Sequence, residues 1–240
     1  MLASASALPL PARLDAVLFD AGGVLLHLDY PFIARAAQRR GARVDASALY
    51  RAEGASRRAV DRSAAGGELE RDAVRLRGYL GQLLVAAGLA EPARAAILDD
   101  LEREHRARNL WRVPPAEAAE TLAELRARGL RTAVVSNADG RVERLLEEAG
   151  LARHLDLVVD SQLEGVEKPD PEIFRRALAR LGVAAERAAY VGDIYSVDAL
   201  GARAAGLAPV ILDGAGAYTE IDCPTIKGLG MLLECIPPRA

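Results

Sequence analysis

The sequence predicts an α/β protein, a doubly wound parallel sheet that carries an all-helical insertion. Three observations predict it. Short apolar runs bounded by turn residues recur at 16–19, 132–135, 155–159, 188–191 and 209–212. Helical periodicity fills the gaps between the later runs, at 116–128, 140–149, 171–181 and 197–205. Residues 31–110 hold no strand-like run but several amphipathic stretches. Strands that alternate with helices imply right-handed βαβ units, and therefore a parallel sheet covered on both faces.

Taken in order, the first run is Ala16-Val17-Leu18-Phe19, uniformly apolar as a strand buried on both faces must be. It ends on one carboxylate, Asp20, followed by the pair Gly22-Gly23. An acid and two glycines are ordinary turn residues, and they equally suit a site where backbone must approach a ligand closely. The insertion follows, with helical stretches at 32–40, 46–60, 69–87 and 91–108 broken by Gly41, Gly66-Gly67 and Gly88. Its helices are rich in Ala, Arg and Glu, and the pair Arg57-Arg58 is read as part of a solvated face, with contact to an anionic substrate as the alternative. Residues 109–115 form the returning linker, with Trp111 as a packing residue and Pro114-Pro115 opening the next helix. The expected organisation is a flexible leader (1–12), an α/β core (13–30 and 111–240) and a helical cap (31–110).

Composition narrows the partners. The 240 residues are 51% hydrophobic and 27% charged with a net charge of −3, which fits neither a disordered chain nor a basic nucleic-acid footprint. No apolar run reaches the roughly 20 residues of a membrane helix, and residues 1–6 lack the charged and apolar regions of a signal peptide. Cys223 and Cys235 have no His or further Cys nearby to complete a zinc site, and a reducing cytoplasm is the expected setting. Of the 31 basic residues only Lys168 and Lys227 are lysine. Where Arg supplies generic positive charge, a retained Lys marks a place that needs a compact ammonium. Lys168 is read this way; Lys227, beside a C-terminal loop, is read as chance.

Open α/β sheets bind ligands beyond the C-terminal ends of their strands. Here those ends carry Asp20, then Ser136-Asn137, then Gly165-Val-Glu-Lys168-Pro-Asp, then Gly192-Asp193-Ile-Tyr-Ser-Val-Asp198. Singly each is a common cap or turn. In this order, around an inserted helical segment, they resemble the four motifs of the haloacid dehalogenase superfamily, in the subgroup whose helical cap follows the first strand. The resemblance covers residues 14–213 and implies a Rossmann-like core.

What the resemblance implies is phosphoryl transfer. Asp20 would be the nucleophile and form an aspartyl-phosphate. Mg²⁺, which prefers oxygen ligands, would be held by Asp20, Asp193, Asp198 and the Gly22 carbonyl. Lys168 would neutralise charge, while Ser136, the Asn137 amide and the Gly22-Gly23 loop would hold phosphate oxygens. The expected activity is Mg²⁺-dependent hydrolysis of a small phosphorylated metabolite, without nucleic acid or membrane partners. Gly22 departs from most phosphatases of the family, which carry there a second Asp that protonates the leaving oxygen; members with Gly at this position include active phosphatases, so the departure does not exclude hydrolysis but removes a general acid worth about 10²–10⁴ in rate. His27 and Asp29 are the nearby groups that could replace it, against a packed histidine and a helix cap as the plainer readings. The alternatives are a metal-free 2-haloacid dehalogenase, disfavoured by the acids at 193 and 198, and a binding module of weak turnover. Substrate and oligomeric state are not legible.

Overall fold

The computed structural model describes residues 8–65 and 72–237. Strand β1 (Ala16–Phe19) runs through the sheet centre and leads by way of the short β2 (His27–Leu28) into four helices: α1 (Tyr30–Arg39), α2 (Ala46–Ala65), α3 (Asp72–Ala86) and α4 (Ala93–Arg108). The chain returns through β3 (Trp111–Val113) and then alternates: α5 (Ala118–Ala127), β4 (Arg131–Ser136), α6 (Val142–Glu148), β5 (Leu157–Asp160), α7 (Ser161–Glu164), α8 (Pro171–Leu181) and β6 (Ala188–Gly192). A π-helical turn, Tyr195–Ala199, opens α9 (Leu200–Ala204), and β7 (Ala208–Leu212), β8 (Thr225–Ile226) and α10 (Met231–Cys235) complete it.

Six parallel strands lie in the order β5-β4-β1-β6-β7-β8. The order grows outward from β1 in both directions, so the crevice where the winding reverses lies at the C-terminal ends of β1, β4 and β6. Both faces of the sheet are covered, and alternate residues separate cleanly: Val17, Phe19, Val134 and Val191 join one apolar cluster, Ala16, Leu18, Ala133 and Tyr190 the other. A strand buried on both sides needs an unbroken apolar sequence, which is why AVLF was legible as central.

Helices α1 to α4 share a third cluster around Ile33, Leu49, Leu80, Leu83, Ile97 and Leu101. Asp29 starts α1 by accepting the Phe32 N–H at 2.8 Å, with Pro31 in the first turn. The expected linker at 109–115 is partly a strand, β3, which pairs antiparallel with β2. Strand 155–159 starts later than expected because 152–154 form a 3₁₀ turn, and β8 and α7 have too few residues for a periodic signal. The break expected at Gly66-Gly67 lies outside the described residues. Within the stretch read as a leader, Leu8 and Leu10 pack against the main cluster.

Candidate active site

Hydrogen bonding at the strand ends converges on Asp20. Its Oδ1 accepts the Ala21 N–H and the Ser136 hydroxyl, both at 2.7 Å, and its Oδ2 lies 2.9 Å from the Lys168 Nζ. Lys168 is 1% exposed. Its ammonium also reaches Asp198 Oδ1 at 2.7 Å and the Tyr190 hydroxyl at 2.8 Å, which in turn donates to the Val135 carbonyl at 2.8 Å. Asn137 fixes the Lys168 backbone twice, accepting its N–H at 2.8 Å and donating to its carbonyl at 2.9 Å. Asp198 Oδ2 accepts the N–H groups of Asp193 and Ile194, both at 2.9 Å, which shapes the turn that presents Asp193.

Asp20, Asp193 and Asp198 each offer an oxygen, all within 4.8 Å of one another. Gly23 makes this approach possible. Its φ is +75°, and a Cβ there would lie 2.1 Å from Asp193 Oδ2, so a side chain at 23 would be both strained and in collision. The loop itself is tight, with the Leu25 and Leu26 amides both donating to the Ala21 carbonyl and Gly23 donating to that of Leu26.

One residue of the site comes from an unexpected direction. Arg57, on α2, is 2% exposed rather than solvated, which corrects the reading of Arg57-Arg58 as a hydrated face. Its guanidinium lies 3.1 Å from Asp193 Oδ2, donates to Glu53 at 3.0 Å, and donates to the Leu212 carbonyl at 3.0 Å. Arg58 donates to the Ala217 carbonyl at 2.9 Å. An arginine at helical spacing from other polar residues carries no sequence signal for such burial.

Charge does not balance here. With all four acids ionised, Asp20, Asp193, Asp198 and the buried Glu53 face only Lys168 and Arg57, which leaves the group two positive charges short of neutrality. Burial pushes the Asp20 carboxyl above its ordinary pKa, the Lys168 ammonium pulls it back, and Asp198 pushes it further up. Asp193 is driven well above the carboxylate range by burial, against the pull of Arg57 and with the push of Asp198. Burial acts against the charge of Lys168, yet Asp198 and Asp20 outweigh it and raise its pKa. Such carboxylates call for a hard cation, and their oxygen donors suit one.

Above these groups opens a cavity of about 210 Å³. Trp111 lines it as well as packing against both the core and the helical cluster. A Cβ on Gly22 would meet Trp111 Cδ1 at 3.4 Å, and φ at Gly22 lies outside the left-handed region. Neither His27 nor Asp29 lines the cavity. His27 stacks near Tyr50, and Asp29 is held by the α1 cap and by Arg112 at 2.8 Å. Lys227 donates to the Asp213 carbonyl at 2.8 Å, away from the cavity.

A parallel sheet of this order with helices on both faces is a doubly wound α/β fold. The haloacid dehalogenase-like hydrolase family model matches residues 14–206, and the chain belongs to that family. It is 34% identical over 210 residues to human haloacid dehalogenase-like hydrolase domain-containing protein 3, covering 85% of this chain and 83% of the relative. It is 45% identical over 129 residues to a phosphoserine phosphatase of Thermus thermophilus, covering 53% and 50%. Over the aligned stretch the chain spans about half the length of several relatives, 48% for the bovine form of the first protein. Among solved structures, a dehalogenase with an intermediate complex superposes with a TM-score of 0.67 at 23% identity, over 95% of this chain and 99% of the other, which establishes the shared fold. Among the described residues no helix is long and apolar enough to cross a membrane.

Proposed function

We propose that the chain is a divalent-metal-dependent phosphomonoesterase acting through an aspartyl-phosphate on Asp20, with helices α1 to α4 as a cap over the site. The observation that carries this reading is the charge shortfall at three clustered carboxylates beside a fixed ammonium. Asp20 and Asp193, with the Gly22 carbonyl, would hold Mg²⁺. Asp198 completes the oxygen cluster, although its Oδ1 is bound by Lys168 and its Oδ2 by two amides, so its main work is to orient. Bound there, the cation would offset the phosphoryl charge that these acids repel.

Asp20 is paired with Lys168 through Oδ2 and oriented through Oδ1 by Ser136 and its own Ala21 amide at the end of β1, where it lines the cavity. It attacks phosphorus, the bond from phosphorus to the ester oxygen breaks, and the electron pair leaves on that oxygen. Water then attacks phosphorus, and the P–O bond to Asp20 breaks, regenerating the carboxylate and releasing phosphate. Ser136 and the amides of Asn137 and Gly22 would hold the non-bridging oxygens, the Gly23 amide being taken by the Leu26 carbonyl, and Lys168 would neutralise one of them. A dehalogenase would make no use of the missing positive charge.

Calorimetric titration with Mg²⁺ tests the reading together with hydrolysis of acetyl phosphate. Binding at one site, lost in Asp193→Asn and accompanied by metal-dependent phosphate release, supports it. Full hydrolysis in the presence of chelator sinks it.

A further inference from the structure

Beyond the polar groups at its floor, the cavity above Asp20 has a largely apolar wall. Leu26, Tyr79, Trp111, Val142 and Leu145 contribute apolar surface from both the sheet side and the helical side. Lys168 is the one lysine or arginine among the described residues that line it, and its ammonium is already shared by Asp20, Asp198 and Tyr190. Asp139 also lines the cavity, itself an anion and tied to Arg141 at 2.6 Å. His105 also lines the cavity, and its Nδ1 accepts the Leu110 N–H at 3.3 Å. Among the described residues, a carboxylate or second phosphate on the substrate would lose its water here and meet no further lysine or arginine in return, at a cost of several kcal/mol for a buried unpaired charge.

A second observation points the same way. The indole of Trp111 stands 3.4 Å from where a Cβ on Gly22 would be, so aromatic surface occupies the flank from which the family's second carboxylate would protonate the leaving oxygen. A leaving group that departs without that proton must be stable as an anion, as phenolates are. In size, a dry cavity of about 150 Å³ already accepts benzene, and this one is about 210 Å³.

From these we infer that the substrate is an aryl phosphate monoester whose aromatic body is otherwise uncharged and packs against Trp111. The inference rests on the phosphatase reading above and narrows it. The ester oxygen leaves as phenolate when Asp20 takes the phosphoryl group, and water later supplies the proton that balances phenol and phosphate. Such a substrate differs from a phosphorylated amino acid or a bisphosphate, each of which brings a further anion.

The test uses the full chain with Mg²⁺ and four compounds: phenyl phosphate, 2-naphthyl phosphate, 4-carboxyphenyl phosphate and phosphoserine. For 2-naphthyl phosphate, kcat/KM should be highest, and 4-carboxyphenyl phosphate should fall at least tenfold below phenyl phosphate, although the two leaving groups are both phenols. The same ranking should appear in calorimetric binding to Asp20→Asn, which does not depend on turnover. Leu145→Arg should invert the pair by adding a guanidinium to the wall. Equal binding and turnover of phenyl and 4-carboxyphenyl phosphates, or a preference for phosphoserine, overturns the inference while leaving the phosphatase intact. Selective binding of neutral aryl phosphates with no hydrolysis of any phosphate, acetyl phosphate included, removes the phosphatase reading and the inference that they are substrates.

Discussion

Gly22→Asp would restore the carboxylate that the family's phosphatases use as general acid, and the structure says what it would meet. The φ of Gly22 is open to any residue, and the added Cβ would sit 3.4 Å from Trp111 Cδ1 and 3.6 Å from Nε1, ordinary contact that needs at most a small shift of the indole. The new carboxylate would join Asp20, Asp193 and Asp198, and their like charge would raise its pKa, which keeps the proton a general acid must donate. The folding cost should be ordinary for a point change, about 1–3 kcal/mol. The kinetic gain for a poor leaving group should be about 10²–10⁴, or about 3–5 kcal/mol of barrier at 1.36 kcal/mol per decade. For a phenolate the gain should be close to nothing. Rates for a graded series of aryl and alkyl phosphates on both proteins supply the slope against leaving-group pKa. A steep wild-type slope that flattens in the variant is expected. A shallow wild-type slope, unchanged in a variant whose circular dichroism is native, would refute the reasoning, because some other group would already be donating the proton.

Lys168→Arg keeps the charge but must fit a wider guanidinium among three oxygens at 2.7–2.9 Å in a fully buried place; kcat should fall by about 10²–10³, read by steady-state kinetics, and near-wild-type turnover would remove the need for an ammonium. Arg57→Met leaves Glu53 and Asp193 buried without their cation, which should cost about 3–5 kcal/mol, or about 6–20 °C in Tm for a chain of this size. Mg²⁺ should recover part of the loss in thermal melts, since Asp193 is one of the orphaned acids. Burial holds the His27 imidazole below its ordinary pKa, so the unfolded chain takes up that proton first. Its contribution is complete above about pH 6.5 and declines as pH falls through that value; His27→Leu should therefore show a shallower decline of Tm between pH 7.5 and 5 than the wild type.

What was legible in the sequence follows from burial. Strands covered on both faces need unbroken apolar runs, so β1, β4 and β6 and the polar residues at their ends could be read directly. Asp20, Ser136, Asn137, Lys168, Asp193 and Asp198 meet in the structure because each follows, or is tied to, a strand end at the switch point. The scarcity of lysine singled out Lys168, which the structure encloses, whereas Lys227 sits at a separate loop. Contributions from the helical insertion were not legible. Arg57 and Glu53 look like any i, i+4 pair on an exposed helix, and only the docking of α2 against β7 and the turn at 193 buries them. Trp111 read as packing alone because two residues of β3 pairing with β2 decide that its ring also faces the cavity. Tyr190 was hidden for a similar reason, since a tyrosine in an apolar strand carries no mark that its hydroxyl will meet an ammonium.

The central claim is that Asp20 carries the phosphoryl group. Acid quenching during turnover of an aryl phosphate, followed by mass spectrometry of the peptide that contains residues 14–35, tests it most directly. A phosphoryl group on Asp20 in the wild type, absent from Asp20→Asn together with all turnover, is the expected result. Phosphate on another residue, or turnover by a folded Asp20→Asn protein close to that of the wild type, would contradict the account.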